Sequence, residues 1–104
     1  MQGDTVVQGH HYHILDTEGF YLYSLTKLVQ GDKIARKQTV YYFSVKVGEP
    51  ILELTLANLE KAFADNTRFR YQLEAHFHRD KDLMAYDPAL KTYKIKYLYR
   101  EYSN

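Results

Sequence analysis

Histidine is the side chain whose ordinary pKa lies nearest neutrality, and its neutral ring is a common metal ligand. Five histidines occur here, as His10-His11-Tyr12-His13 and as His76 and His78. Residues two apart point the same way on a strand, so His11 and His13 could both face one metal ion, with His76 or a carboxylate completing the set. That set is the candidate metal site, and the expectation is that it does not form. On a helix over residues 67–79, His76 and His78 diverge, and a solvated strand edge with titratable side chains accounts for the N-terminal cluster. Such a dense cluster can still pick up nickel or zinc adventitiously.

A second candidate lies in the tail KTYKIKYLYREYSN. Lys91, Lys94, Lys96 and Arg100, interleaved with Tyr93, Tyr97 and Tyr99, supply cations for phosphates and rings for base stacking. This is the alternative reading, a nucleic-acid-binding module. If the tail is helical, Tyr93 and Tyr97 face the core and the cations form its solvated side. The other patterns are sparser. Ser24 and Ser44 lack a Gly-x-Ser-x-Gly elbow, so no triad can be named. Asp80 and Asp82 could act as acid and base, but their ordinary use is to cap a helix. The single glycines of GDT at 3–5 and GDK at 31–33 fall short of any phosphate-binding loop. With no cysteine there is no disulfide, thiolate nucleophile or cysteine-based zinc site. No pattern calls for a cofactor, and the chain reads as a non-enzyme.

The elements that would position these residues form a chain of 104 residues, 45% hydrophobic and 26% charged. That supports one packed core and leaves no run of about 20 apolar residues to span a bilayer. Eleven tyrosines, five phenylalanines and no tryptophan imply a core whose edges carry hydroxyls. Fourteen basic against thirteen acidic residues provide no general field toward nucleic acid or membrane. The split is mild: residues 1–65 carry six basic and eight acidic groups, net −2, and residues 66–104 eight and five, net +3.

No repeat or linker divides the chain, so one domain over 1–104 is expected, either by itself or as the C-terminal portion of a longer protein. Residues 5–55 are rich in Val, Ile, Thr, Tyr and Phe, and read as strands at Tyr12–Leu15, Phe20–Val29 and Val40–Val47. Gly31-Asp32 marks a turn. YYFSVK, VGEP and ILELT read as a hairpin. Thr55 fits an N-cap for a helix LANLEKAFAD with Leu56, Leu59, Ala62 and Phe63 on one stripe. Asp65-Asn66-Thr67 stops it and caps the next. The stretch RFRYQLEAHFHRD alternates like a strand through Phe69, Tyr71, Leu73, Ala75 and Phe77, yet Phe69, Leu73, His76 and Phe77 also make a helical face. Its good helix formers favour the helix. Asp80 or Asp82 caps a third short helix through Leu83, Met84 and Tyr86, ended by Asp87-Pro88. An extended YKI and a terminal helix follow. The expected class is α+β: a small antiparallel sheet over about 5–55, backed by two or three C-terminal helices, with Leu56, Leu59, Phe63, Leu73 and Phe77 buried.

From residue 20 onward the chain resembles the C-terminal part of uncharacterised exported proteins of Bacteroidetes. The likeness is carried by FYLYSLTKLV, YYFSVKVGEP, the helix end KAFADN and the tail YKIKYLY, at Phe63, Asp65, Asn66, Phe69, Tyr86, Asp87, Tyr93 and Ile95. It implies a cell-envelope location and helices in the second half, with no assigned activity. The N-terminus MQGDTVVQG departs from that pattern, lacking the basic start and apolar run of a signal peptide. If Met1 is the native start, the expected location is cytoplasmic. The function expected is that of a non-catalytic interaction or accessory domain of the cell envelope, its tyrosine-rich face meeting a protein or glycan. A histidine-metal enzyme is the remotest rival.

Overall fold

The computed structural model describes residues 3–7, 9–31 and 34–103. The class is α+β: a five-stranded antiparallel sheet, a two-stranded sheet and three α-helices. Contacts sort into two compact units, Met1–Glu53 and Leu54–Asn104.

The first unit is the sheet, in the order β1-β2-β3-β4-β5. Its strands are β1 (Asp4–Val7), β2 (His10–Asp16), β3 (Tyr21–Gln30), β4 (Ala35–Ser44) and β5 (Leu52–Glu53). β1 lies outside the three strands expected. DTVV is too short to show a period, and it becomes a strand by pairing with β2 from Asp4↔His13 to Val7↔His10. Gly9, at φ 80°, lies in the connection between them, a backbone region other residues rarely adopt. β4 starts earlier than Val40 because every residue from Ala35 to Ser44 finds a partner on β3. The turn expected at Gly31-Asp32 lies only partly within the described residues, and there the Gly31 amide donates to the Ile34 carbonyl at 3.2 Å. The YYFSVK/ILELT pairing is real but brief, joining Tyr42 to Glu53 and Phe43 to Leu52. Its loop is longer than VGEP and runs over residues 45–51, with Gly48 at φ 87°. Tyr12, Phe20, Leu22, Tyr23 and Phe43 are this unit's buried hydrophobic side chains among the described residues, and the Phe20 and Phe43 rings meet edge to face at 6.3 Å.

The second unit holds α1 (Leu56–Ala62), α2 (Thr67–His76), a 3₁₀ helix (Asp80–Met84), β6 (Tyr86–Asp87), β7 (Thr92–Tyr93) and α3 (Lys94–Tyr102). The Thr55 hydroxyl caps α1 by accepting from the Asn58 amide at 3.0 Å. α1 stops at Ala62, short of the expected Asp65, with Phe63 as its C-cap. Phe63 turns into an aromatic cluster: Phe63–Phe69, Phe63–Tyr99 and Phe69–Tyr99 centroids lie 5.2, 5.5 and 5.1 Å apart. Asn66 caps α2 through its side-chain oxygen, which accepts from the Phe69 amide at 3.3 Å.

α2 resolves the ambiguous stretch as a helix. Phe69, Leu73 and Phe77, four apart, are buried, while Tyr71 and Ala75, which a strand would bury with them, are exposed. His76, placed on the buried stripe by its spacing, is exposed instead, and Leu56 is only half-buried. The third helix begins at Asp80, and its N-cap residue, Arg79, makes no side-chain capping bond. Asp80 serves elsewhere: its carboxylate accepts from the Leu56 amide at 2.9 Å, satisfying an orphan donor in the first turn of α1. Tyr86 lies beyond that helix in β6, opposite Tyr93, with the rings edge to face at 5.3 Å. Asp87 does not end a helix. Its carboxylate accepts from the Ala89 and Leu90 amides at 2.9 and 3.1 Å, folding DPAL into the turn between β6 and β7. The extended tail segment is Thr92-Tyr93, since Lys94 and Ile95 already belong to α3.

Phe69 has no exposed surface and touches both other rings of its cluster, so Phe69→Ala is expected to cost about 3–5 kcal/mol in urea denaturation. Losing either cap, by Thr55→Ala or Asn66→Ala, costs about 1 kcal/mol by the same measurement. Lys91 holds φ 54°. Lys91→Gly relieves that conformation and raises stability by up to about 1 kcal/mol.

Candidate functional site

Strand register decides which side chains share a face, since the period is two. Thr5 opposes Tyr12, Ile14 opposes Tyr23, Tyr23 opposes Tyr42 and Tyr21 opposes Ser44, so these residues all stand on one side of the sheet. The tyrosines form a cross-strand ladder. Tyr12 lies 5.9 Å from Tyr23 and 5.2 Å from Tyr42 by ring centroid, the latter nearly perpendicular, and Tyr21 lies 6.3 Å from Tyr23. The Tyr23 hydroxyl and Ser44 Oγ share a buried hydrogen bond of 2.8 Å. This bond is why Ser44 is no nucleophile: the side chain is 1% exposed and engaged by a phenol.

Over this face the loop following β4 walls a cleft of about 490 Å³, lined by Thr5, Tyr12, Ile14, Tyr21 and Tyr23 from the strands and residues 47–51 from the loop. Its walls are aromatic and aliphatic, with one carboxylate, Glu49, and the Thr5 hydroxyl. Burial, with the neighbouring Tyr42 adding to it, raises the Tyr12 pKa and keeps its hydroxyl a neutral donor and acceptor. Tyr21 and Tyr23 were legible in the sequence as part of the strand Phe20–Val29. The cleft was not, because it depends on a loop 25 residues further along closing over them.

The opposite face carries His11 and His13. The imidazoles donate to Asp4 from His11 Nε2 at 3.0 Å and from His13 Nδ1 at 2.9 Å. The two histidines do converge, as expected of residues two apart, but on a carboxylate at the edge strand. Both hydrogen bonds, His13's the larger influence, hold the Asp4 carboxyl below its ordinary pKa. His76 ends α2 in the other unit, and His78 follows that helix's C-cap, Phe77. Among the described residues no group of three His, Asp or Glu side chains is arranged to hold a metal ion.

The tail residues are dispersed by α3. Lys91 occupies the turn before β7. Lys94 is half-buried, its ammonium 5.9 Å from the centroid of the Phe77 ring. Lys96 is only 5% exposed, lying between Ile95 and Leu98 in the buried part of the helix, so the expected solvated row of cations is interrupted. Arg100 lies over Tyr97 at 5.7 Å and 3.5 Å from Glu101. Tyr99 belongs to the aromatic cluster with Phe63 and Phe69. Rings and cations therefore do not alternate along one open groove, as single-strand binding asks.

Asp80 and Asp82 likewise part company, Asp80 to the Leu56 amide and Asp82 to Arg79 at 3.6 Å. A carboxyl pair that the sequence hid forms between α1 and α2. Glu60 hydrogen-bonds Glu74, which together with partial desolvation raises the Glu60 pKa against the opposing pull of Arg70. No protein-family model, curated protein or solved structure matches the chain.

The Asp4 clamp has a definite pH signature. Because its folded pKa is depressed, its contribution to β1 docking is present above the unfolded carboxyl's pKa and is lost as pH falls through the folded one, below about pH 4. An NMR titration of the Asp4 carboxyl carbon should give a midpoint below that of a free aspartate. His11→Ala with His13→Ala moves the midpoint up to the ordinary value. An unchanged midpoint in the double variant would remove the clamp as its cause.

Proposed function

We propose that this chain is a non-catalytic binding module whose ligand, a glycan, enters the tyrosine-walled cleft of the sheet. The observation that carries the reading is the cleft itself. Its volume of about 490 Å³ lies within the range of small-ligand sites, roughly 300–1,000 Å³. The chemistry of its walls selects the ligand class. A sugar presents apolar C–H faces and a rim of hydroxyls. Tyr21, half-buried, offers ring surface to the former, while Glu49, Thr5 and the phenols offer acceptors and donors to the latter. With Glu49 the only charged lining residue among the described residues, anionic ligands are disfavoured.

Binding rather than cleavage is favoured because glycoside hydrolysis ordinarily uses two carboxyl groups flanking the bond, and the cleft wall supplies one. The cell-envelope setting is supported by the resemblance at Phe63, Asp65, Asn66, Phe69, Tyr86, Asp87, Tyr93 and Ile95, and a glycan ligand suits such a setting. The nucleic-acid alternative would need Lys91, Lys94, Lys96 and Arg100 on one open surface, and the burial of Lys96 weighs against it.

A glycan array followed by calorimetry tests the proposal. Binding to a neutral oligosaccharide is expected, weakened about tenfold or more by Tyr21→Ala and by Glu49→Gln, a loss of roughly 1.4 kcal/mol for each. Both positions reach solvent, so both variants should keep the parent's circular dichroism spectrum. Absence of binding across the array, or binding that ignores both substitutions, would sink the reading.

A further inference from the structure

β3 and β4 extend far beyond the rest of the sheet. β2 pairs with β3 at Leu22, Tyr23 and Ser24, and β5 pairs with β4 only at Tyr42 and Phe43. From Leu25↔Val40 to Gln30↔Ala35 the two strands pair, among the described residues, with each other alone. Residues 25–30 and 35–40 are thus a two-stranded arm. Isolated ribbons of this kind are marginal in water, and natural sheets usually blunt such edges or cover them.

Besides Thr26, Gln38 and Thr39, the arm exposes large apolar and cationic side chains. Leu28 and Ile34 are 71% and 73% exposed, among the largest apolar exposures in the protein. Lys27, Arg36 and Lys37 are exposed beside them. In sequence the segment LTKLVQGDKIARKQTV holds four basic residues and one acidic, 4 − 1 = +3, inside a half whose net charge is −2. The near-neutral total conceals this concentration. Register distributes it: Lys37 opposes Leu28 on one face, while Lys27, opposite Gln38, and Arg36, opposite Val29, stand on the other.

We propose that this arm docks end-on to an anionic lipid surface, Ile34 entering the acyl boundary and Lys27, Arg36 and Lys37 binding lipid headgroups, with Leu28 packed at their depth against the upper acyl chains. Charge complementarity selects a polyanion, and the apolar residues select a bilayer among polyanions. Arg36 and Lys37 lie two and three residues back from Ile34, about 7–10 Å at 3.3 Å per residue. A headgroup layer of about 5–8 Å per leaflet matches that spacing, with Ile34 below the phosphates and the cations among them. Cations on both faces suit a tip entering the layer better than a ribbon lying flat. The segment 25–40 has no aromatic ring for a base to stack on, which weighs against single-stranded nucleic acid. Each cation near an anionic surface multiplies partitioning about fivefold, so three give on the order of a hundredfold. The proposal is independent of the glycan cleft, which uses other residues.

Co-sedimentation of the full chain with phosphatidylcholine vesicles, with and without about 30 mol% phosphatidylglycerol, is the test, at physiological salt and at about 0.5 M. The expected result is binding to the anionic vesicles only, weakened at least tenfold at high salt. Lys27→Gln with Arg36→Gln and Lys37→Gln should lower it by on the order of a hundredfold. Leu28→Ser with Ile34→Ser should abolish what survives high salt. All five positions are exposed, and the salt series on the unaltered protein tests the electrostatic claim without any variant. Equal binding to neutral vesicles, or none to either, overturns the proposal. So does tight binding to duplex DNA or RNA, or formation of a dimer, that the same substitutions abolish while vesicles go unbound.

Discussion

The pairing of β3 with β4 is the interaction on which the rest of the first unit depends. Ten residues of one strand meet ten of the other without interruption, from Tyr21↔Ser44 to Gln30↔Ala35. Because side chains alternate, this register puts Tyr21, Tyr23 and Tyr42 on one face and Leu22, Phe43 and Tyr41 on the other. A slip of one residue would turn Phe43 toward the cleft and Tyr42 away from it. The Tyr23–Ser44 hydrogen bond pins the register from inside, since a displaced strand would leave a buried phenol without its partner. The cleft at one end of the ladder and the arm at the other are consequences of the same alignment.

The second unit is organised around rings instead of a ladder. Phe63, Phe69 and Tyr99 come from the end of α1, the first turn of α2 and the middle of α3, and their edge-to-face and tilted contacts fix where each helix begins or stops. Polar side chains complete the helix ends: Thr55 and Asn66 each cap their own helix, and Asp80 reaches the first turn of α1 from 24 residues away. The last bond explains why an aspartate that could cap its own short helix leaves that helix uncapped.

Electrostatics in this protein is local. The overall charge is +1, yet cations gather on the β-arm, carboxyls meet at Glu60 and Glu74, and two imidazoles converge on Asp4. Exposed groups of this kind add little to stability one by one, since water and salt screen them. Their effect is on what approaches. An arm that exposes cations and large apolar side chains, and a cleft walled by phenols, aliphatic groups and a carboxylate, present different partners with different chemistry.

Much of this was legible in the sequence, because period and capping chemistry are local. A β-rich composition announced β3, Thr55 and Asn66 announced two helix starts, and the spacing of Leu59, Phe63, Phe69, Leu73 and Phe77 announced a buried stripe. The α+β class follows from those signals. Tertiary structure decided the rest. RFRYQLEAHF satisfied two periods at once, and only packing could expose Tyr71 and bury Phe69 and Leu73. Lys96 read as a solvated cation because nothing near it in sequence shows that Ile95 and Leu98 carry that side of α3 into the interior. The histidines were rightly placed on one face, but their partner, Asp4, belongs to a strand too short to show a period. The cleft required a loop from residues 47–51 to meet strands near residues 12 and 23, and the arm required its neighbours to end where they do. Both are facts about which backbone groups find partners at long range, which a sequence read residue by residue does not contain.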